Sequence, residues 1–422
     1  MTGAAIIDDL QARGLLHDST DEAELRALLG AGPVVLYHGI DPSAPSLHVG
    51  NLVGVLVMRR FQDFGHRPLA LVGGATGMIG DPSGRSDERN LLDDSTLQEN
   101  MAGIRAQLER LMDFDGDAAA TMVNNHDWTK DVTFLDFLRD VGKHVTVNQM
   151  VAKDSVKSRM EGEHGISFTE FSYMLLQAFD FWVQHEQYDC MLQIGGSDQW
   201  GNITAGIDLT RKRSGTSVHG LTWPLITRSD GQKFGKSVDG AVWLDPQRTL
   251  PYEFHQYWMR TDDRDVERFL LQLTLLPLDR IAQVMAEHAS SPQESRAQRV
   301  LADEVTGLIH GFDEVRRANL AASALFGGAS LDGEVLEALR GIVPETVIRP
   351  EELEDGEPVV TLLVATGVCS SKGDARRTLE QGGIRLNGEK IVDGGAPVEL
   401  VDGRFVLIQR GKKQRHLVVL AS

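Results

Sequence analysis

Two short segments carry residues whose types and spacing suit phosphate chemistry. The first, SLHVGN (46–51), puts a histidine, a glycine and an asparagine where an apolar strand pattern gives way to a helix pattern. A helix N-terminus presents unpaired N–H groups and a partial positive charge, which suits an anion. Gly50 allows close backbone approach, and His48 adds a donor toward a phosphate oxygen. The second segment is DGQKFGKS (230–237). Lys233 and Lys236, with glycine between them and Ser237 after, form a short cationic loop able to neutralise charge developing on a triphosphate. Its glycine spacing is not that of a Walker loop. Alone, each segment has a plainer reading, a packed loop histidine and a solvated basic turn. Together, about 185 residues apart, they are more specific than either.

A third set lies in FTEFSYMLLQAFDF (168–181). Tyr173 and Gln177 are four apart and Asp180 follows three later, so all share one helix side. Polar groups on an otherwise apolar face are costly to bury without partners, which weighs against simple amphipathic packing. GGSDQWGN (195–202) reads as a tight, glycine-rich strand-to-helix turn capped by Asn202.

These residues need a scaffold. PVVLYHG (33–39) predicts a buried strand, NLVGVLVMRRFQDFG (51–65) a helix and RPLALVGG (67–74) a second buried strand. That order predicts a βαβ unit with parallel strands and a right-handed crossover. YDCMLQIGGSDQWGN (188–202) repeats strand, Gly-rich loop and helix start. The recurrence predicts a doubly wound parallel α/β sheet of Rossmann-like type, with ligands at the carboxyl ends of its strands. The predicted domains are a catalytic domain over 1–247 with a helical insertion at about 100–185, an α-helical domain over 248–330, a linker over 331–358 and a small C-terminal α+β domain over 359–422. In the last, SSKGDARRTLEQGG predicts a serine-led helix ended by glycines, and IRLNGEKIV a hairpin about Asn-Gly. Lys372 and Arg376 share a face of that helix, with Arg377 beside them.

Composition narrows the class. The 422 residues are 41% hydrophobic, enough for a substantial core in two or three domains. A formal charge of −19 argues against an unspecific nucleic-acid binder. The charge is uneven, because residues 359–422 hold ten Lys and Arg against six Asp and Glu, a basic module on an acidic body. No apolar run is long enough to span a bilayer and the N-terminus lacks a leader pattern. Cys190 and Cys369 fit neither a disulfide framework nor zinc spacing. A cytoplasmic setting without membrane association is expected.

HVGN resembles the "HIGH" signature of class I aminoacyl-tRNA synthetases, and KFGKS resembles their "KMSKS" loop. LYHGIDPSAPSLHVGN, LVGGATGMIGDPSGR, FTEFSYMLLQAFDF and LQIGGSDQWGNITAG are similar, in order, to segments of the bacterial tyrosyl-tRNA synthetases. The C-terminal module resembles the RNA-binding domain those enzymes share with a ribosomal small-subunit protein. The likeness covers nearly the whole chain.

The resemblance implies activation of L-tyrosine by ATP to tyrosyl-adenylate, then transfer to the 3′ end of tRNA(Tyr). It implies that Tyr37 and Asp180 meet the phenol hydroxyl, that Asp81, Tyr173 and Gln177 hold the ammonium and that Gln199 lies near the carboxyl group. Gly39, Asp41, Pro42, His48, Gly50, Asn51, Gly196, Asp198 and Lys236 would border ATP, Asp198 on the ribose. His48, Asn51, Ser43, Lys233, Lys236 and Ser237 would stabilise the pentacoordinate phosphorus and the leaving pyrophosphate, with Arg85 and Arg89 closing over the phosphates. The attacking carboxylate is already ionised, so positioning and charge stabilisation carry the rate. Mg²⁺ would come with ATP, held by its phosphates, with no protein metal site. Arg211, Lys212 and Arg213, taken to lie toward the active site, and Lys372, Arg376 and Arg377 are candidates for tRNA. A homodimer is implied, with the insertion and Phe168 at its interface.

Three positions depart from the family pattern. Asn51 replaces the second histidine, Ser43 stands where threonine is common, and Arg85 stands where many relatives have lysine. The nearest rival is tryptophanyl-tRNA synthetase, which shares the fold and often ends its first signature in asparagine. Tyr37, the Tyr173–Gln177–Asp180 set and the C-terminal module weigh against it. A nucleotidyltransferase not acting on tRNA and a non-catalytic RNA-binding protein are further readings. His48, Lys233 and Lys236 weigh against the last.

Overall fold

The computed structural model describes residues 3–79, 93–152, 156–157, 160, 165–230, 234–237, 240–326, 330–353, 356–411 and 414–421. The chain divides into two units, Met1–Thr249 with Tyr257–Val305, and Leu250–Gln256 with Thr306–Ser422.

The first unit is built on β1 (Val35–Ile40), β2 (Arg67–Val72), β3 (Thr121–Asn124), β4 (Cys190–Gly196) and β5 (His219–Trp223). Their order is β3-β2-β1-β4-β5 and every neighbouring pair is parallel, the doubly wound sheet expected. The order reverses between β1 and β4, so connections leave these strands in opposite directions and open a crevice at their carboxyl ends. Strands buried on both faces must be apolar throughout, as LALV in β2 is. The helix Val49–Asp63 joins β1 to β2 and buries Leu52, Val55, Leu56 and Phe61. A two-residue ribbon, β6 (Lys236–Ser237) and β7 (Gly240–Ala241), lies within the same unit.

The insertion is not wholly helical, because it supplies β3 at the sheet edge. TMVN is too short and too polar for a strand pattern; its pairing with β2 makes it one. The helix Asp94–Leu111 holds the loop before His48. Asn100 Nδ2 donates to the Pro42 carbonyl at 2.9 Å, Gln107 Nε2 donates to Ser46 Oγ at 2.9 Å, and Gln107 Oε1 accepts the Leu47 N–H at 2.8 Å. Between them Gly103 admits the chain, since a Cβ there would collide with the Pro45 carbonyl.

The second unit contains a mixed sheet of β8 (Glu345–Ile348), β9 (Ile384–Leu386), β10 (Glu389–Ile391), β11 (Phe405–Arg410) and β12 (Gln414–Leu420), in the order β10-β9-β11-β12-β8. Asn387 and Gly388, both at positive φ, turn β9 into β10 as the Asn-Gly signal predicts. Phe405, Leu407, Leu417 and Val419 pack with Ala321, Leu336 and Leu339. The alternate residues Val406, Ile408 and Val418 pack with Val359, Leu363, Ala375 and Leu379.

Two predicted boundaries are corrected. The span 331–358 is not a free linker, because Glu345–Ile348 pairs in parallel with β12 and the helix Gly333–Ala338 buries Val335 and Leu336. The span 248–330 is not one domain, because 257–305 belongs to the first unit and 306–326 to the second. An amphipathic pattern marks an apolar face and says nothing of which surface covers it.

Candidate active site

The two signature segments meet through their backbones. His48 is the N-cap residue of Val49–Asp63, and its N–H donates to Asn51 Oδ1 at 3.1 Å. The Val49 N–H donates to the Val242 carbonyl at 2.9 Å, and the Leu244 N–H to the Leu47 carbonyl at 2.9 Å. The Val242 N–H in turn donates to the Gly235 carbonyl at 3.0 Å. Gly235 has φ +76°, and a Cβ there would lie 3.1 Å from the Gly50 nitrogen. Only glycine gives both the backbone angle and the approach that bring the KFGKS loop onto the helix end.

Beside this junction, the carboxyl ends of β1 and β4 and the helix Phe168–Tyr188 enclose a cavity of about 270 Å³. Tyr37, Gly39, Asp41, Ser43, Gly50, Asn51, Tyr173, Gln177, Asp180, Gly196, Asp198 and Gln199 all line it. His48 is not among its lining residues; its imidazole folds over Gly50. Pro42 is not among the lining residues either; its carbonyl accepts from Asn100. Asp81, Arg85, Arg89 and Lys233 lie outside the described residues, and Lys236 and Ser237 enter only as the backbone of β6.

The floor of the cavity is polar and buried. Asp180, only 2% exposed, accepts Trp128 Nε1–H at 2.8 Å and Asn125 Nδ2–H at 3.0 Å. Burial nevertheless pushes its carboxyl up to about 7, outweighing both donors. The Tyr37 hydroxyl and Gln177 Oε1 are buried with no hydrogen-bond partner among the described residues. Burial also pushes the Tyr37 phenol well up, so it stays a neutral donor. Higher in the cavity, Asp41 accepts from the Tyr173 hydroxyl at 3.2 Å and from Thr76 Oγ1 at 3.0 Å.

Four of these groups were not singled out in the sequence. Asn125 links the halves of the network, donating also to Thr76 Oγ1 at 3.0 Å and accepting the Ala75 N–H at 2.7 Å. Asn125, Trp128 and Thr76 follow the ends of β3 and β2, so a strand reading of TMVN would have pointed to them. His38 also lines the cavity. Burial lowers its pKa to about 4, so at neutral pH the ring is uncharged and Nδ1–H donates to the Ile194 carbonyl at 3.2 Å.

The basic candidates fare differently. Arg211, Lys212 and Arg213 do not lie toward the cavity. They occupy the last turn of Trp200–Ser214, whose first turn follows Asp198 and Gln199. A helix of that length spans roughly 20 Å, so they lie toward the amino ends of β4 and β5, away from the cavity. Arg211 and Lys212 pair with Asp208, and Arg213 stacks on Trp182. In the second unit, Arg376 pairs with Glu357 at 2.5 Å, while Arg377 is largely exposed.

Comparison with known proteins gives this geometry a family. A family model described as tRNA synthetases class I (W and Y) matches residues 30–327. A second, described as the tyrosine–tRNA ligase SYY-like C-terminal domain, matches residues 336–418. The chain belongs to the tyrosine–tRNA ligases. The tyrosine–tRNA ligase of Opitutus terrae is 50% identical over 416 residues, covering 97% of this chain and 98% of that protein. That of Roseiflexus castenholzii is 48% identical over 422 residues, covering 98% and 99%. A crystal structure of a C-terminally truncated mitochondrial tyrosyl-tRNA synthetase from Aspergillus nidulans is 34% identical with a TM-score of 0.70, covering 76% of this chain and 94% of that one. The match of the second unit to a tyrosine–tRNA ligase domain, with these relatives, sets the tryptophanyl reading aside. Among the described residues of this tyrosine–tRNA ligase, no helix is long and apolar enough to cross a membrane.

Proposed function

We propose that the cavity binds L-tyrosine with its phenol between Tyr37 and Asp180, and ATP along the helix end at Gly50 and Asn51. The reaction is that of a tyrosine–tRNA ligase. Tyrosine and ATP give tyrosyl-adenylate and pyrophosphate, and the tyrosyl group then passes to a tRNA 3′-terminal ribose with release of AMP. One observation carries the assignment. Two buried polar atoms without partners among the described residues, Tyr37 Oη and Gln177 Oε1, border the same cavity as the half-satisfied Asp180. Leaving such an atom unmet beside a cavity costs free energy that a ligand group recovers. A phenol hydroxyl and an ammonium group do so here.

In this scheme Tyr173, Gln177 and Asp81 receive the ammonium, Gln199 the carboxyl group and Asp198 the ribose. Asn51 Oδ1 is engaged by the His48 N–H, so Nδ2 is the end that meets phosphate. His48, Ser43, Lys233, Lys236, Ser237, Arg85 and Arg89 stabilise the phosphorus centre and the leaving pyrophosphate, with Mg²⁺ on the phosphates. Lys372, Arg376 and Arg377 contact tRNA. Exposed Phe134, Leu135, Val147 and Phe168 on the insertion are the face a second copy covers. Tyrosine-dependent exchange between pyrophosphate and ATP tests the whole scheme, with tryptophan alongside. Exchange with tyrosine alone is expected; exchange with tryptophan, or with neither, rejects it.

The raised pKa of Asp180 gives a second test. In the ligand-free protein the folded state holds a proton the unfolded chain releases. This contribution to stability is therefore lost as pH rises from about 3.8 toward 7. A bound phenol adds a third donor to the carboxylate and lowers its pKa, so binding expels the proton. Tyrosine affinity is expected to rise with pH to about 7 and level off above it, and Asp180→Asn to flatten the profile. Calorimetry in buffers of different ionisation enthalpy measures the released proton. A wild-type profile as flat as that of Asp180→Asn would disprove the assignment.

A further inference from the structure

Beside the His48 junction the chain folds back as a closed turn. Thr249 Oγ1 accepts the Trp243 N–H at 3.0 Å. The Asp245 carbonyl accepts the Arg248 and Thr249 N–H groups, both at 3.0 Å, and Asp245 Oδ1 accepts the Gln247 N–H at 2.9 Å. The turn is pinned to the loop before His48, because the Asp245 N–H donates to Ser46 Oγ at 3.2 Å. Backbone groups satisfied within the turn fix its shape. That shape sets two side chains against each other. The Arg248 guanidinium lies 5.0 Å from the centre of the Trp243 ring. The His48 ring lies 6.0 Å from the same indole.

The arginine is unusual for its surroundings. The protein carries a formal charge of −19. Arg59, Arg105, Arg139 and Arg211, of the same unit, each pair with a carboxylate. Arg248 is exposed and makes no ion pair among the described residues. Its charge is offered to solvent on top of a half-buried indole. A planar cation that can fork a phosphate, beside a flat aromatic surface, is the pair of features that single-stranded nucleic acid requires. Phosphate supplies the attraction, and the unstacked bases supply faces to cover.

We propose that Trp243 and Arg248 form a ledge for the unpaired 3′ end of tRNA, Arg248 taking a phosphate of the strand and a base packing on the guanidinium–indole layer. The ledge rests on the reading of the cavity given above and adds the route by which the second substrate arrives. Trp243 pairs with His48 through an isolated backbone bridge, and Gly50 and Asn51 just beyond line the cavity. In that reading pyrophosphate departs from this helix end. The tRNA ribose must then reach the adenylate from outside, and the ledge stands on the side just vacated. Arg211, Lys212 and Arg213 lie at the far end of their helix and cannot guide the strand there.

Arg248→Ala isolates the contact, because the guanidinium makes no hydrogen bond or ion pair among the described residues. Dissociation constants are measured by filter binding at several salt concentrations, with a tyrosyl-adenylate analogue that cannot transfer. The RNA is tRNA(Tyr), either intact or with its unpaired 3′ nucleotides removed. Intact tRNA is expected to bind Arg248→Ala about five- to ten-fold more weakly than wild type, the effect of one lost phosphate contact. The slope of log affinity against log salt should shrink by about one. Trimmed tRNA should bind wild type and variant equally. Arg248→Lys should restore the slope and only part of the affinity, since it keeps the charge and loses the planar fork. Tyrosine-dependent pyrophosphate exchange should be unchanged in both variants. Three results overturn the proposal. One is an equal affinity of wild type and Arg248→Ala for intact tRNA. Another is an equal loss with trimmed tRNA, which puts Arg248 on a different part of the molecule. The third is slowed exchange, which assigns the pair to ATP. Failure of the cavity reading shows separately, as absence of tyrosine-dependent exchange in the wild type.

Discussion

Replacement of His48 by alanine is expected to slow tyrosine-dependent pyrophosphate exchange about 10²- to 10³-fold, the scale of one lost transition-state donor. Tyrosine affinity should not change, because the imidazole does not line the cavity that is proposed to take the amino acid. The fold should survive, since backbone hydrogen bonds hold this residue in addition to the tilted contact of its ring with Trp243, 6.0 Å between centroids. Its N–H goes to Asn51 Oδ1, and its carbonyl accepts the Asn51 N–H at 2.8 Å. The bridge to Trp243 is likewise a backbone pairing. An interaction made only in the transition state lowers kcat and kcat/KM equally, whereas one made with bound ATP raises KM. If His48 merely packs on Trp243, the variant instead loses thermal stability and keeps its rate. Pre-steady-state adenylate formation and a melting curve on the same preparation distinguish the two, and a full rate would remove His48 from the chemistry.

The second large effect has opposite signs in stability and in function. Tyr37→Phe removes a hydroxyl that is buried and unpartnered among the described residues. Relief of that unsatisfied group should stabilise the ligand-free protein by up to about 1 kcal/mol. The same hydroxyl is proposed to meet the substrate phenol, so selectivity for tyrosine over phenylalanine should fall about ten-fold, as expected for one hydrogen bond in a dry site. Rejection of phenylalanine is itself a known property of tyrosyl-tRNA synthetases and not a finding of ours. The variant is expected to pair a higher Tm with poorer selectivity. The ring should keep its edge-on contact with Phe181, 5.3 Å between centroids, so packing does not confuse the result. A variant that melts earlier and still discriminates fully would show that the hydroxyl serves the fold and not the substrate.

Much of this site was legible because its information is local. A histidine and glycine at a strand-to-helix junction, two lysines about a glycine, and polar residues at helical spacing on one apolar face declare themselves within a few residues. The strands β1, β2 and β4 are apolar runs bounded by turn residues, and the Asn387–Gly388 turn follows from the backbone angles those residues tolerate. The signature resemblance added the order in which the segments come together.

What the sequence did not disclose is non-local. β3 and β8 are four-residue strands whose stability comes from a partner far along the chain, so their own patterns are silent. The helices of 248–330 announced apolar faces and could not say that two different cores would cover them. Arg211, Lys212 and Arg213 follow Asp198 and Gln199 closely in sequence, yet a helix carries them back toward the amino ends of the strands. Asn125, Trp128 and Thr76 acquire their place beside Asp180 only when the ends of β2 and β3 meet the helix Phe168–Tyr188. Residue type and spacing marked groups suited to a phosphate, and the family resemblance implied which would meet a phenol. Tertiary packing decided which are dry, which are paired and which are left open, because desolvation and hydrogen-bond satisfaction depend on everything that surrounds an atom and not on its neighbours in the chain.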